Sequence, residues 1–199
     1  SLQRPFRSPH HSATATSLTG GGGNPRPGEI SLAHGGVLFL DELPEFNRRC
    51  LESLREPMES GEITLTRTKR RVTYPARFQL VAAMNPCPCG FLGDPERSCR
   101  CRPEQIQRYR ARLSGPLLDR IDLHVTVPRL PPSQLLSRTV SAEASAPVQA
   151  RVTRCREIQQ ARQGCSNAGL PSASLSSVCQ LGKKETRHLA TAAQRMHLS

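Results

Sequence analysis

The feature of this sequence that most constrains its fold is a short apolar run that ends abruptly in acid. Residues 36–41 read GVLFLD, and Glu42 follows them directly. An apolar run of this length is typical of a fully buried strand in a parallel sheet. The carboxyl ends of such strands form the edge at which these sheets bind their ligands. The run therefore predicts an α/β fold whose functional groups include Asp41 and Glu42.

Asp41 and Glu42 have the residue types and the position of a Walker B pair. At a strand end, an Asp can hold Mg²⁺ directly or through water, and the next Glu can polarise an attacking water. The alternative is a buried strand that simply ends in two solvated acids. The pair alone does not decide between these two interpretations.

The rest of the chain continues the α/β pattern. Apolar runs predict buried strands at 78–84 and 121–127, and β-branched runs predict a hairpin of 62–67 and 71–75 with a basic tip. The residue pattern predicts helices at 44–59, 103–115, 148–163 and 183–196. A segment rich in Pro, Ser and Ala, 131–147, is predicted to be a linker.

Two further polar residues stand next to predicted strands. Asn85 follows the 78–84 strand, where it suits a sensor that hydrogen-bonds the water attacking a γ-phosphate. An Asn-Pro turn is the simpler explanation of the same pattern. Arg120 lies between Asp119 and Asp122 and fits an arginine finger that reaches a neighbour's nucleotide. The alternative is a surface ion pair of little energetic value.

The chain has eight cysteines, and four of them form a C-x-C-x9-C-x-C cluster: Cys87, Cys89, Cys99 and Cys101. No secretory signal opens the sequence, so we expect a cytoplasmic protein in which clustered thiols bind metal rather than form disulfides. Four thiolates can close a tetrahedral Zn²⁺ site with a structural role and no open position for catalysis. The alternative is a set of reduced thiols in a turn.

Positive charge dominates the composition. The 28 Lys and Arg outnumber the 16 Asp and Glu, which gives a formal net charge of +12. Such an excess makes a polyanion the first partner to consider, and solvated surface charge is the plainer explanation. No apolar run approaches the roughly 20 residues needed to cross a bilayer, so we expect no membrane partner.

Four longer motifs occur in one order along the chain: RPFRSPHHSAT, PGEISLAHGGVLFLDELPEF, NPCPCG and SGPLLDRIDLHV. Together they resemble the magnesium-chelatase-like AAA+ ATPases of the ComM/YifB type, over residues 4–130 and more weakly to the end. The resemblance implies a partial AAA+ P-loop-type parallel sheet with a β-hairpin insertion, followed by the start of an α-helical lid. It also implies a Mg²⁺-dependent ATPase that forms a hexameric ring, and members of the ComM type act as DNA branch-migration helicases.

The resemblance assigns roles to individual residues. Asp41 and Glu42 match the Walker B pair, which would bind ATP and Mg²⁺, and Asn85 matches sensor 1. Arg120 matches the arginine finger that acts on the adjacent subunit. The 62–76 segment matches the pre-sensor-1 hairpin, which in related helicases points into the central channel. Its basic residues would contact the DNA backbone without reading sequence: Arg67, Lys69, Arg70 and Arg71.

The sequence also departs from the family pattern. No GxxxxGK[ST] loop is present: no Lys-Ser or Lys-Thr follows the Gly20–Gly23 run, which we interpret as a flexible turn. The sensor 2 Arg is absent too. We therefore expect an internal piece of the ATPase module that by itself neither binds ATP tightly nor hydrolyses it. For His10 and His11 of the SPHHSAT motif we expect a packing or loop-ordering role.

The expected organisation is an ATPase core at 1–130, a linker at 131–147 and an incomplete helical lid at 148–199. The expected function is part of a DNA branch-migration motor that acts in recombination or transformation. Three alternatives stay open. The first is a magnesium-chelatase-type motor for metal insertion into a porphyrin, and the second is a non-enzymatic zinc module that binds nucleic acid. The third is a degenerate or truncated gene product without activity.

Overall fold

The computed structural model describes residues 3–67, 70–130 and 143–196, and the chain divides into two compact units, Ser1–Arg129 and Leu130–Ser199. The first unit is mixed α/β, as predicted. Its strands are β1 (Phe6–Arg7), β2 (Gly20–Gly21), β3 (Arg26–Pro27), β4 (Val37–Leu40), β5 (Glu62–Arg67), β6 (Arg70–Pro75) and β7 (Gln79–Ala82). Its helices are α1 (Ala15–Thr19), α2 (Glu29–Leu32), α3 (Arg48–Glu52), α4 (Arg55–Ser60), α5 (Pro103–Arg110) and α6 (Gly115–Leu118).

The central element is a parallel sheet in the order β1-β4-β7. Leu38 of β4 pairs with Arg7 of β1 and with Leu80 of β7. Leu38 and Leu40 are fully buried, while the opposite face of β4 is half-buried. The predicted strand is therefore confirmed, but only one of its faces is fully covered. Because the three strands are parallel, their carboxyl ends meet at one edge of the sheet.

Two other strand predictions need correction. The predicted strand 78–84 exists as β7, but it lies at the edge of the described sheet and is not buried; Val81 is 42% exposed. The predicted strand 121–127 is absent, and Leu123 and Val125 are largely exposed. A strand forms only where a neighbour pairs its backbone N–H and C=O groups. None of the described strands pairs with this segment.

The predicted helix 44–59 is broken into three short pieces. A 3-10 turn at Leu43–Glu45 precedes α3 and α4. The break before α3 is stabilised locally, because the side chain of Asn47 accepts the backbone N–H of Arg49 at 2.9 Å. Pro57 lies in the first turn of α4, where its backbone nitrogen would have no partner within the helix, so the helix tolerates it.

The other predicted helices differ from the structure in their bounds. Helix α5 ends at Arg110, five residues before the end of the predicted helix 103–115, and α6 follows it as a separate element. In the second unit, α7 (Ser145–Gln163) begins within the predicted linker 131–147, of which 131–142 lie outside the described residues. A short α8 (Leu175–Val178) leads to α9 (Lys183–Met196), which confirms the predicted helix 183–196. No described helix is long and apolar enough to cross a membrane.

The hairpin predicted from the β-branched runs is confirmed. Strands β5 and β6 pair antiparallel, and Tyr74 fastens the hairpin to the rest of the unit by donating its hydroxyl to the Pro25 carbonyl oxygen at 2.8 Å. The glycine run upstream is part strand and part turn. Gly20 and Gly21 form β2, which pairs with β3, and Gly22 and Gly23 lie in the turn that joins the two strands. Gly20 has φ = 95°, a conformation that favours glycine.

Gly36 is expected to be intolerant of any side chain, because its backbone packs directly against the Pro5 carbonyl at the junction of β1 and β4. A Cβ at this position would collide with that carbonyl oxygen. We expect Gly36→Ala to lower the free energy of unfolding by about 1–3 kcal/mol. Gly23→Ala is the matched control, since nothing lies within 4 Å of a Cβ built there. Urea denaturation of both variants checks this, and equal stability would contradict it.

Candidate functional site

The carboxyl edge of the sheet gathers polar residues from three strands. Asp41 and Glu42 follow β4, Asn85 follows β7, and His10 and His11 follow β1. Two backbone hydrogen bonds tie the β4 and β7 ends together: the Ala83 N–H donates to Leu40 O at 3.0 Å, and the Leu43 N–H donates to Ala83 O at 2.9 Å. The structure therefore places the Asp41–Glu42 pair beside the segment that leads to Asn85, as the strand pattern predicts.

Glu42 has an unusual backbone. Its φ of 52° and ψ of 46° lie in the left-handed region, and it is the one non-glycine residue with positive φ among those that the structure describes. This conformation costs roughly 1–2 kcal/mol for an L-residue. Asp41 compensates in part, because its Oδ1 accepts the Glu42 backbone N–H at 2.9 Å. Strain of this kind clusters at functional sites.

His11 is a site residue that the sequence analysis missed. Its Nδ1 lies 3.0 Å from Oε2 of Glu42, and its ring packs on His10 and edge-on against Phe46. The sequence analysis interpreted the two histidines as packing or loop-ordering residues and did not predict the contact with Glu42. The reason is that β1 is only two residues long and has no clear strand pattern. Because β1 pairs in parallel with β4, the histidines that follow β1 lie next to Glu42.

Asn85 is exposed, and its backbone lies near the hydroxyl of Tyr109 on α5. Burial raises the pKa of the Tyr109 hydroxyl, and the nearby Asn85 backbone lowers it by less. Tyr109 is 7% exposed, so the loop after β7 lies close to a buried side chain. Helix α5, which follows the cysteine cluster in the chain, is therefore a neighbour of Asn85.

Arg120 is not at the sheet edge. Its guanidinium makes an ion pair with Glu59 of α4 and donates to the Pro116 carbonyl oxygen. Asp41, Glu42 and Asn85 are not among its described hydrogen-bond partners. In this single chain Arg120 thus pairs with Glu59 and not with the acidic pair, and the resemblance assigns it to the site of an adjacent subunit.

The basic residues of the hairpin lie at the end away from the sheet. Arg71 is exposed, and its backbone pairs with Thr66. The backbones of Arg67 and Arg70 pair with each other across the last rung of the hairpin. Lys69, the fourth residue predicted to contact DNA, lies outside the described residues.

The four clustered cysteines converge on one point. Their sulfur atoms all lie within 4.8 Å of one another, and Cys87 is fully buried. The Cys87–Cys89, Cys89–Cys99 and Cys87–Cys99 sulfur distances are 3.4, 3.6 and 3.7 Å. The spacing therefore predicted a real cluster, and its donor set can hold a metal ion.

The loop between the two cysteine pairs is shaped by local turns. Gly90 and Gly93 have φ of 81° and 83°, and Asp94 Oδ1 accepts the backbone N–H groups of Glu96 and Arg97.

The pKa values of the four cysteine thiols differ from one another. Hydrogen bonds from the backbone of Phe91 and then of Arg100 lower the pKa of Cys89 to about 6. Burial raises the pKa of Cys101 to about 12.

Comparison with known proteins decides the family. The profile of "Magnesium chelatase, subunit ChlI" matches residues 1–135, and that of the ChlI C-terminal part matches residues 142–199. The chain belongs to the magnesium chelatase ChlI family. Its parallel sheet, inserted hairpin and helical second part are those of a partial AAA+ fold, as the resemblance implied.

Within the ChlI family, close relatives cover nearly all of the chain. It is 58% identical to the uncharacterized protein YifB of Escherichia coli strain K12, over 94% of this chain and 37% of YifB. It is 52% identical to competence protein ComM of Haemophilus influenzae, over 99% of this chain and 38% of ComM. A more distant match is the DNA replication licensing factor Mcm6 of Drosophila melanogaster, 32% identical over 48% of this chain and 10% of Mcm6. The chain thus spans less than two fifths of YifB and ComM.

Membership of the ChlI family suggests ATP and Mg²⁺ as ligands, and the sheet edge has donors that suit them. Asp41 is an exposed carboxylate at the end of a central strand, and carboxylate oxygens are preferred Mg²⁺ ligands. Glu42 and Asn85 belong to the same edge. The residues present therefore fit Mg²⁺.

Proposed function

We propose that this chain supplies the hydrolytic sheet edge of a Mg²⁺-dependent, ring-forming ATPase that drives DNA branch migration. The observation that carries the proposal is the joining of β4 and β7 at their carboxyl ends, with the basic hairpin inserted between them. In this proposal Asp41 would hold Mg²⁺, which would supply positive charge to neutralise the phosphates. Glu42 orients and polarises the attacking water, and Asn85 hydrogen-bonds it.

The proposed assembly is a ring in which Arg120 would act on the nucleotide of the adjacent subunit, and the resemblance to the AAA+ ATPases implies six subunits. In the single chain the Arg120 guanidinium pairs with Glu59, so in the proposed ring Arg120 would exchange this ion pair for the nucleotide of its neighbour. A ring also gives the basic hairpins a common channel. We propose a cytoplasmic location for the whole assembly.

The DNA partner is proposed from charge and from the placement of the hairpin. The formal net charge is +12, and Arg71 is exposed on β6 beyond the rungs nearest the sheet. Arg67, Lys69, Arg70 and Arg71 would contact phosphates without reading bases. The hairpin follows α4 and leads into β7, so one continuous segment links the proposed DNA contact with Glu42 and Asn85.

The cysteine cluster is proposed to hold a structural Zn²⁺. Four thiolates bound to Zn²⁺ at about 2.3 Å in a tetrahedron would place their sulfur atoms about 3.8 Å apart. The sulfur distances of 3.4 to 3.7 Å are close to that value. Cys87, Cys89, Cys99 and Cys101 would be its ligands, and the metal would brace the segment between Asn85 and α5.

A second candidate function is the motor of a metal chelatase, which the family description itself favours. The same sheet edge would hydrolyse ATP, but the work would be the insertion of a metal into a porphyrin. The two functions differ in what stimulates hydrolysis. A DNA motor responds to DNA, whereas a chelatase motor responds to its porphyrin-binding partner.

The deciding experiment uses a chimera in which this chain replaces the matching segment of H. influenzae ComM, hereafter the ComM chimera. We expect ATP hydrolysis that branched DNA stimulates. Hydrolysis indifferent to DNA but stimulated by a porphyrin-binding subunit would favour the chelatase motor instead. Tight, cysteine-dependent DNA binding without any hydrolysis would favour the zinc module.

The hairpin is tested separately with Arg71→Ala in the ComM chimera. Loss of one phosphate contact should weaken DNA binding and reduce the slope of log affinity against log salt by about 0.9. Arg26→Ala is the matched control, because Arg26 is an exposed arginine on β3, outside the hairpin. Fluorescence anisotropy at several salt concentrations measures both. An unchanged slope for Arg71→Ala would remove Arg71 from the proposed interface.

A further inference from the structure

A cleft lined by arginines lies beside the segment that follows β4, and the proposed function does not use it. Its walls are formed by residues 44–48 and by residues 108–112, and its volume is about 500 Å³. Sites for small ligands have volumes of roughly 300–1,000 Å³, so the cleft can take in a short stretch of a longer molecule. Three arginines line it, namely Arg48, Arg108 and Arg112.

Arg112 joins the two walls of the cleft. Its Nη1 donates to the Pro44 carbonyl oxygen at 3.0 Å and lies 2.7 Å from Oε2 of Glu45. Both walls are also anchored in buried side chains, since Phe46 of the first wall is 3% exposed and Tyr109 of the second is 7% exposed. The cleft is therefore formed before a ligand binds, which lowers the entropic cost of binding.

The charge inside the cleft is positive. Glu45 is the acid that lines it, and the carboxylate of Glu45 is already paired with one of the three arginines. The other two, Arg48 and Arg108, are exposed, and their side chains have no hydrogen-bond or ion-pair partner among the described residues. The acids one turn away on the same helices, Glu52 and Glu104, do not line the cleft. Two guanidinium groups can therefore bind an anion.

The lining suits phosphate groups rather than bases or peptide side chains. Arginine presents its N–H donors in a planar fork that matches the oxygen atoms of a phosphate. Pro44 and Phe46 are buried, so the methyl group of Ala111 is the exposed apolar group among the lining residues. The cleft thus has no aromatic surface on which a base could stack, and a ligand would be recognised by its charge.

We propose that this cleft, which we name the arginine cleft, binds phosphates in the backbone of a DNA strand. The backbone carries one negative charge per nucleotide whatever the base sequence, which suits guanidinium groups without a base-reading surface. The inference rests on the DNA partner of the proposed function and adds a contact on elements other than the hairpin. A free polyphosphate offers the same phosphate chemistry, and the experiments below separate these two sources.

The test measures how a fluorescein-labelled oligo-dT strand binds to the whole 199-residue chain. Fluorescence anisotropy at several salt concentrations gives the slope of log affinity against log salt. We expect Arg48→Ala and Arg108→Ala each to weaken binding and to reduce this slope by about 0.7, the value for one phosphate contact on a single strand. Arg108→Lys keeps the positive charge and should keep the slope.

The matched controls are Arg49→Ala and Arg110→Ala. Arg49 is an exposed arginine on α3 and Arg110 an exposed arginine on α5, and neither lines the arginine cleft. Residues one or two positions apart on a helix point in different directions. The controls should therefore have the slope of the unmutated chain. Equal losses in the control and cleft variants would show that overall charge binds the DNA, and would overturn the inference.

Inorganic pyrophosphate is the probe for a free polyphosphate. Isothermal titration calorimetry measures its binding to the unmutated chain and to Arg108→Ala. We expect pyrophosphate to bind far more weakly than oligo-dT, because it cannot extend beyond the cleft to other cationic groups. If Arg108→Ala weakens the binding of pyrophosphate but leaves oligo-dT binding unchanged, the cleft is a site for a free polyphosphate and the DNA assignment is overturned.

These binding measurements need no ATP, so failure of the inference is distinct from failure of the proposed function. The same variants are measured in the ComM chimera. If the chimera does not hydrolyse ATP, the proposed ATPase fails while the slopes can still be compared. If DNA stimulates hydrolysis but Arg108→Ala has the same slope as Arg110→Ala, the inference alone fails. Absence of oligo-dT binding by both the chain and the chimera would also overturn it.

Discussion

Glu42→Gln should abolish ATP hydrolysis by the ComM chimera and leave nucleotide binding intact. Gln has nearly the same shape as Glu but no negative charge, so it cannot polarise a water for attack on the γ-phosphate. General-base catalysis of this kind contributes about 10²- to 10⁴-fold, which is the expected loss of kcat. The left-handed backbone of Glu42 and its bond to Asp41 involve only main-chain geometry and the Asp41 side chain, so the fold should survive.

Glu45→Gln is the matched control for this experiment. Glu45 is an exposed glutamate three residues away, and its carboxylate pairs with Arg112 at 2.7 Å. Both variants are compared by steady-state phosphate release and by the affinity for a fluorescent ATP analogue. If Glu42→Gln still hydrolyses ATP at a tenth of the original rate or more, Glu42 is not the residue that activates water.

Removal of the metal should have the largest effect on stability. We expect the purified chain to contain one equivalent of Zn²⁺ by elemental analysis, and Cys87→Ser to eliminate it. Structural Zn²⁺ sites contribute on the order of 10 kcal/mol of binding free energy, and that energy would be lost with the metal. Amide hydrogen exchange should then accelerate between Asn85 and α5, because the two cysteine pairs no longer hold the intervening loop.

Cys155→Ser is the control for the thiol chemistry. Cys155 is an exposed cysteine on α7, away in sequence from the cluster, so its replacement should leave the zinc content and the exchange rates unchanged. A strong chelator should reproduce the effect of Cys87→Ser in the unmutated chain. If the chelator leaves both stability and exchange unchanged, the cluster is a set of reduced thiols and not a metal site.

The elements that sequence patterns predicted well are those whose signals are local. The apolar run at 37–40 correctly predicted β4, and the β-branched segments correctly predicted the hairpin. The spacing of the four cysteines correctly predicted their cluster. The prediction of a strand at 121–127 was wrong because strand formation needs a partner, which an apolar pattern does not reveal. The broken helix at 44–59 reflects Asn47, whose side chain caps α3 and starts a new helix.

The residues of the candidate site also divide into those that local sequence patterns predict and those that only tertiary contacts reveal. Asp41 and Asn85 could be placed at one edge because parallel strands share an end. His11 could not, because β1 is two residues long and its pairing with β4 depends on the close approach of Gly36 to Pro5. The contact of Arg120 with Glu59 is likewise a product of tertiary packing, since the two residues are 61 positions apart in the chain.

The β5–β6 hairpin is long and is closed at its base, so a small change of angle at the base moves its far end by a large distance. The Ala76 N–H donates to Gly61 O at 2.7 Å, which closes the base just before the chain returns to β7. Each strand has six residues, so the hairpin is a lever about 20 Å long. A tilt of roughly 10° at the base would move its far end by about 3.5 Å, which is close to the rise of one nucleotide. A small tilt at this base, which lies at the amino end of β7, would therefore displace the far end of the hairpin by about one nucleotide spacing.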